Sequence, residues 1–294
     1  MIAVLIALAV VPPLILLLIT YILDRKEREP FSLLMTIFLL GGASALPAGI
    51  YELIACDILE KAQLPVLVYS FIEAFFIVAL CEEGFKFFVM YGITWHHPAF
   101  NYRFDGIVYC VYSSLGFATI ENILYVVQDG VQSGIVRAFI SVPFHAYFGV
   151  VMGIFYGYAK GCSYAKNKKG YIKNTILALL IPIEIHGFYD FCIFTEDTFL
   201  ILLWMLFIVV MSVTVIVNLI SSSRRNHMII SPENNIPVFG SEDSWFPQEN
   251  SKRQFVKWSC SCGLENMSNY CPMCGRKRED SLQEDGAGQE NIGA

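Results

Sequence analysis

A chain of 294 residues that is 55% apolar and only 16% charged, with mean hydropathy +0.54, belongs in a bilayer rather than in water. The net charge of −6 comes without a basic field, so no nucleic acid is expected as a partner. The stretch Lys166 to Lys173 could touch anionic headgroups.

Seven apolar stretches are long enough to span, at about 1–22, 32–54, 66–91, 104–127, 136–159, 174–194 and 198–220. The expected fold is an all-α polytopic membrane protein of about seven transmembrane helices, plus a small cytoplasmic zinc-ribbon-like module. The first stretch has no basic n-region and no small-residue cleavage site, so it reads as a span rather than a signal peptide. Basic residues alternate between loops. Arg25, Lys26 and Arg28 follow the first span, Arg103 precedes the fourth, Lys160 to Lys173 separate the fifth and sixth, and Arg224 and Arg225 follow the seventh. The positive-inside rule then puts the N-terminus outside and the C-terminus in the cytoplasm of a multi-pass cell-membrane protein.

The third stretch carries Glu82 and Glu83 side by side, with Lys86 one turn on. Carboxylates in hydrocarbon are costly and mark a function by default. The fourth carries Glu121 and Asn122, and begins with Asp105, which suits the start of a helix. Glu52 and Glu73 sit nearer the outer ends of their spans. The fifth carries Arg137, His145 and a stripe of Gly149, Gly153 and Gly157, whose spacing favours close helix packing. The sixth carries Glu184, His186 and Asp190, the last two four residues apart on one helix face. At ~1.5 Å per residue, Glu83, His145 and His186 fall within about two turns of mid-membrane, and Glu121 about 25 Å from the inner end of its span.

One buried cluster of Glu82, Glu83, Glu121, His145, His186 and Asp190 could activate water. A carboxylate would act as general base and an imidazole would support the oxyanion or leaving amine. Asp190 could fix the tautomer of His186. Glu plus two His could equally hold a metal-bound water, so a catalytic metal stays open. Either chemistry ends at hydrolysis of a carbonyl compound, most simply a peptide bond. Helix-face reasoning pairs Glu82 with Lys86 and favours Glu83 as the base.

After the last span the composition turns polar. The membrane domain is 1–225, with its core at about 66–194; 226–256 reads as a flexible linker and 279–294 as a disordered acidic tail. Between them, 257–278 carries Cys260, Cys262, Cys271 and Cys274. Four cysteines in two knuckles read as a closed structural zinc site that could dock a cytoplasmic protein partner. The first knuckle has one residue between its cysteines where two are usual.

The membrane motifs resemble a known family. Glu82-Glu83-Gly-Phe-Lys86 is similar to the EExxK motif of the PrsW family, within the wider superfamily of CAAX-prenyl proteases and bacteriocin-processing enzymes. Phe104-Asp105-Gly106 with Gly116 through Asn122, then Arg137 with Pro143 through Ala146, and His186-Gly-Phe-Tyr-Asp190 resemble the family's further motifs in order. The resemblance implies a glutamate-type intramembrane protease, metal-independent or metal-assisted. Glu82, Glu83, His145, His186, Glu121 and Asp190 would be catalytic, and Lys86, Asn122, Asp105 and Arg137 supporting. It also implies a membrane-anchored protein substrate, such as an anti-sigma-factor-like regulator. Glu121 stands where the CAAX branch has a histidine, which disfavours a prenylated substrate. Two other readings fit the same residues: a proton-relaying transporter, and an inactive scaffold that recruits partners through its ribbon.

Overall fold

The computed structural model describes residues 2–229, 258–259 and 265–266. Eight α-helices occupy the first segment: α1 (Ile2–Leu23), α2 (Phe31–Glu60), α3 (Val66–Ile72), α4 (Leu80–Thr94), α5 (Arg103–Phe139), α6 (Ser141–Tyr164), α7 (Lys168–Phe194) and α8 (Thr198–Arg224). A π-helical segment, Glu73–Ala79, joins α3 to α4 without a break. Two short strands, β1 (Trp258–Ser259) and β2 (Glu265–Asn266), pair antiparallel.

Local chemistry sets the helix ends. Pro30 and Pro65 precede α2 and α3, where a fixed φ and a missing N–H cost nothing. Asp105 Oδ2 accepts the amides of Asn101 at 2.9 Å and Tyr102 at 2.6 Å, tying down the start of α5. Asp197 does the same for α8, accepting from Phe199 and Leu200. Within α5, Gly130 adopts φ +81°, a conformation side chains resist, and bends the chain before the last turns of the helix.

Five stretches are long and apolar enough to cross a membrane: Ala3–Leu23, Phe31–Glu60, Arg103–Tyr164, Lys168–Phe194 and Thr198–Arg224. The expectation of seven differs in two places. It counts Arg103–Tyr164 as two spans, and it counts the α3–π–α4 run, which Glu73, Glu82, Glu83 and Lys86 make too polar to qualify by composition.

Backbone-to-backbone contact holds the helices together. A Cβ on Gly157 would meet the Arg103 carbonyl oxygen at 2.5 Å, one on Gly153 would meet Ile107 Cα at 2.3 Å, and one on Gly149 would meet the Cys110 carbonyl oxygen at 2.9 Å. Residue numbers rise on α5 as they fall on α6, so the two helices run antiparallel along the glycine stripe. A second crossing was not anticipated: a Cβ on Gly116 would sit 2.1 Å from the Phe38 carbonyl oxygen, which brings α2 onto α5. α8 packs only lightly, through residues such as Phe207 and Met211, against Phe144, Tyr147 and Tyr189.

One end of the bundle is filled by an aromatic core of Trp95, Phe100, Phe104, Tyr109 and Tyr156. The segment after α8 is pinned there. His227 accepts the Arg103 amide through its carbonyl, Asn226 Oδ1 accepts the Phe104 amide, and Ile229 donates to the Asn101 carbonyl. Residues 226–229, read from composition as the start of a linker, are therefore docked on α5.

Candidate active site

The site begins with spacing on α4. Glu82, Glu83 and Lys86 stand at i, i+1 and i+4, so one ammonium reaches both carboxylates. Lys86 Nζ lies 2.8 Å from Glu82 Oε2 and 2.8 Å from Glu83 Oε1. Lys86 and Glu83 are both fully buried. The lysine therefore pairs with both glutamates and not with Glu82 alone.

The network continues onto three more helices. Lys86 Nζ lies 3.3 Å from His145 Nδ1 on α6 and 4.2 Å above the Phe117 ring on α5. An ammonium only donates, so Nδ1 accepts and the ring proton sits on Nε2. That Nε2 meets Glu121 Oε2 at 2.8 Å. Arg137 closes this branch, 2.9 Å from Glu121 Oε1 through Nη2 and 2.6 Å from Asn122 Oδ1 through Nε. On α7, His186 Nδ1 lies 3.1 Å from Glu83 Oε1 and its Nε2 3.1 Å from Asp190 Oδ2. Only a doubly protonated ring donates to both. Phe148 stacks on His186 with ring centres 4.6 Å apart, fixing its plane.

These groups border a cavity of about 750 Å³. Glu82, Glu121, Arg137, His145, His186 and Asp190 line it, together with Glu52, Glu73 and apolar side chains including Leu46, Ile50 and Phe148. Glu83 and Lys86 are not on its wall. Access thus reverses the helix-face argument: Glu82 meets the cavity, and Glu83 lies behind it, shared by Lys86 and His186. Two triplets bring their ligand atoms within 4.8 Å of one another, Glu82 with Glu121 and His145, and Glu82 with Glu83 and His186.

A family model described as PrsW family intramembrane metalloprotease matches residues 29–217. Proteins named Protease PrsW are similar in sequence. The one from Oceanobacillus iheyensis is 38% identical over 204 residues, covering 67% of this chain and 89% of the relative. That of Bacillus subtilis is 35% identical over 62% of this chain and 79% of the relative. That of Clostridioides difficile is 31% identical over 69% and 85%. The chain belongs to the PrsW family. No solved structure matches it.

Membership makes the chain an intramembrane protease with several membrane-crossing helices. The metal in the family's description can be weighed against these PrsW residues. Carboxylate and imidazole donors at this spacing suit a divalent ion of the zinc class. The Lys86 ammonium stands among the same donors, bonded to two of the carboxylates.

Of the residues expected at the PrsW site, Glu82, Glu83, Lys86, Glu121, Asn122, Arg137, His145, His186 and Asp190 come together. Asp105 does not: it caps the opposite end of α5. Glu184 is exposed on α7, away from the network. Sequence reasoning missed Phe117 and Phe148, which look like ordinary core aromatics. It also missed the cavity position of Glu52, although the glutamate itself stood out in an apolar span. The π-helical segment that begins at Glu73 has no sequence signal; such turns recur at functional sites. Cys260, Cys262, Cys271 and Cys274 lie outside the described residues.

Proposed function

We infer that this PrsW-family protein hydrolyses a peptide bond of a membrane-anchored protein, using water activated by Glu82. One observation carries the reading: among the described residues Glu82 is the one carboxylate common to both histidine-containing triplets, and it faces the cavity. In this mechanism Glu82 takes a proton from water as the oxygen adds to the carbonyl carbon. His186 would turn its Nε2 proton from Asp190, at the cavity wall, toward the developing oxyanion while Nδ1 stays on Glu83. The proton on Glu82 then passes to the leaving amine. Lys86 bridges Glu82 and Glu83, while Glu121, held by Arg137, orients His145.

A second reading has its own support in the two triplets. A divalent metal held by Glu82 with His145 and Glu121, or with His186 and Glu83, would supply a water of lowered pKa. The four tail cysteines would hold one structural zinc, and the ribbon would serve a cytoplasmic partner. The substrate class carried by the family resemblance is a single-pass regulator of the anti-sigma-factor kind. The terminal orientation follows the loop charges, with the N-terminus outside.

The test is purified protein in proteoliposomes with a single-span substrate. Glu82→Gln should stop cleavage while Tm stays within a few degrees of the parent. Unchanged turnover would refute Glu82 as the base. Metal analysis separates the two readings. About one zinc per chain, lost with Cys271→Ser and Cys274→Ser, fits a glutamate mechanism. A second metal that survives those changes and departs with Glu82→Gln fits the metal-assisted one.

A further inference from the structure

The cavity wall carries more carboxyl groups than the basic side chains beside it pair with. Its wall carries five carboxylates: Glu52, Glu73, Glu82, Glu121 and Asp190. The mechanism above uses the last three, and each has a basic partner: Lys86 for Glu82, Arg137 and His145 for Glu121, His186 for Asp190. Glu52 and Glu73 are left over. Among the described residues neither has a cationic partner. Glu73 receives only a thiol contact from Cys56 at 3.7 Å. Glu52 Oε1 is shut off from solvent and has no hydrogen-bond partner.

The placement of Glu52 is specific. It projects from α2, the cavity wall that carries none of the reacting groups, between Leu46, Ile50 and Leu53 on the same lining. The charges of Glu82, Glu121, Lys86 and His186 all act on it, so it lies within electrostatic reach of the reacting groups. Arg137 and Lys86 are already committed to other carboxylates and cannot turn to it. A buried carboxylate oxygen without a donor costs free energy that an incoming cation returns. The cavity of about 750 Å³ accommodates several side chains of a peptide at once.

We propose that Glu52, assisted by Glu73, forms a subsite that selects a substrate carrying a lysine or arginine beside the scissile bond. The proposal rests on the peptidase reading and names the substrate class for that site. The apolar neighbours of Glu52 would take the methylene stem of the basic side chain and its carboxylate the charged head. A neutral or acidic residue at that position leaves the carboxylate unpaired or repelled, so selection works by rejection as well as attraction.

The experiment uses full-length protein in proteoliposomes and a series of single-span peptides, with Lys, Gln or Glu placed in turn at each position across one end of the span. The parent protein should cleave the best Lys peptide at least tenfold faster in kcat/KM than its Gln counterpart, and the Glu peptide more slowly still. Glu52→Gln should collapse the Lys-to-Gln ratio to within about threefold, and Glu52→Lys should shift the preference toward the Glu peptide. Equal parent rates on Lys and Gln peptides at every position overturn the proposal, as does the same fractional loss on both peptides in Glu52→Gln. If no peptide is cleaved, the peptidase reading fails separately. Photocrosslinking of the same peptides to Glu82→Gln and to Glu82→Gln with Glu52→Gln then decides the subsite. Loss of Lys-selective capture with the second substitution supports it, and unselective capture by both rejects it.

Discussion

The two ends of the helix bundle bury charge in opposite ways. At the cavity end, Lys86, Glu82, Glu83, Glu121, Arg137, His145, His186 and Asp190 form one chain of ion pairs across α4, α5, α6 and α7. At the other end, Lys160 is buried with only the Trp95 carbonyl as its hydrogen-bond partner, packed over the rings of Trp95, Phe100 and Tyr164. Nearby, Glu29 accepts from Tyr109, and Asp105 accepts from backbone amides. One end couples charges to each other around an empty volume. The other sets Lys160 on aromatic faces and Asp105 on backbone amides. Burial of a charged residue therefore does not by itself mark chemistry; coupling to a second titratable group beside a cavity does.

The two buried lysines give the sharpest contrast. Lys86→Met leaves two carboxylates without their cation and should cost about 3–5 kcal/mol, read as a large fall in Tm in detergent. Adding Glu83→Gln should restore part of that loss, because one unpaired charge goes with it. A Tm within a degree or two of the parent would mean the ion-pair chain is not what holds this end. Asp190→Asn removes the negative charge facing His186 Nε2 while keeping an oxygen that can accept, and should lower kcat by roughly 10- to 100-fold with little change in Tm. An equal loss in Tm and activity would make Asp190 a packing residue instead. Lys160→Met keeps the stem against the rings and forfeits one hydrogen bond and the cation–π contacts. It should cost only about 1–2 kcal/mol and leave activity intact. A loss as large as that of Lys86→Met would erase the distinction between the two ends.

The last effect is one of pH. Asp24 lies in the α1–α2 loop, where burial pushes its carboxyl up from 3.8 to about 7; the Glu29 amide and Arg28 oppose the shift, and the Glu27 carboxylate adds to it. Between these values the folded protein keeps a proton that the unfolded chain has released, so this contribution to stability is complete at low pH and fades as pH rises toward 7. Tm should therefore decline between pH 5 and pH 8, and Asp24→Asn should flatten the decline. Identical slopes would assign the dependence to Glu29 or Asp105, which act on the same cluster.

Much of the site was legible because its residues are anomalous where they stand. A glutamate pair, two histidines and an aspartate in apolar spans have few structural excuses, and the i, i+4 spacings of Glu82–Lys86 and His186–Asp190 predicted two contacts that exist. The Gly149–Gly153–Gly157 stripe likewise foretold close helix contact, and it seats on α5. What failed to show was whatever depends on rotation about a helix axis. Glu82 and Glu83 are neighbours in sequence, yet one faces the cavity and the other is walled in. Phe148 and Phe117 look like any core aromatic until a histidine and an ammonium lie on their faces.

That this is a membrane protein, which spans carry costly polar groups, and which family the motifs resemble can all be read from the residues in order. Composition and spacing decide those matters, because hydrocarbon penalises each misplaced charge one residue at a time. Which of the paired glutamates meets the cavity, that Lys86 serves both, and that Glu52 stands on the facing wall without a cation among the described residues emerge only when the helices pack. Those outcomes depend on where four separate helices approach one another, and glycine crossings such as Gly116 on Phe38 set that approach through contacts distant in the chain.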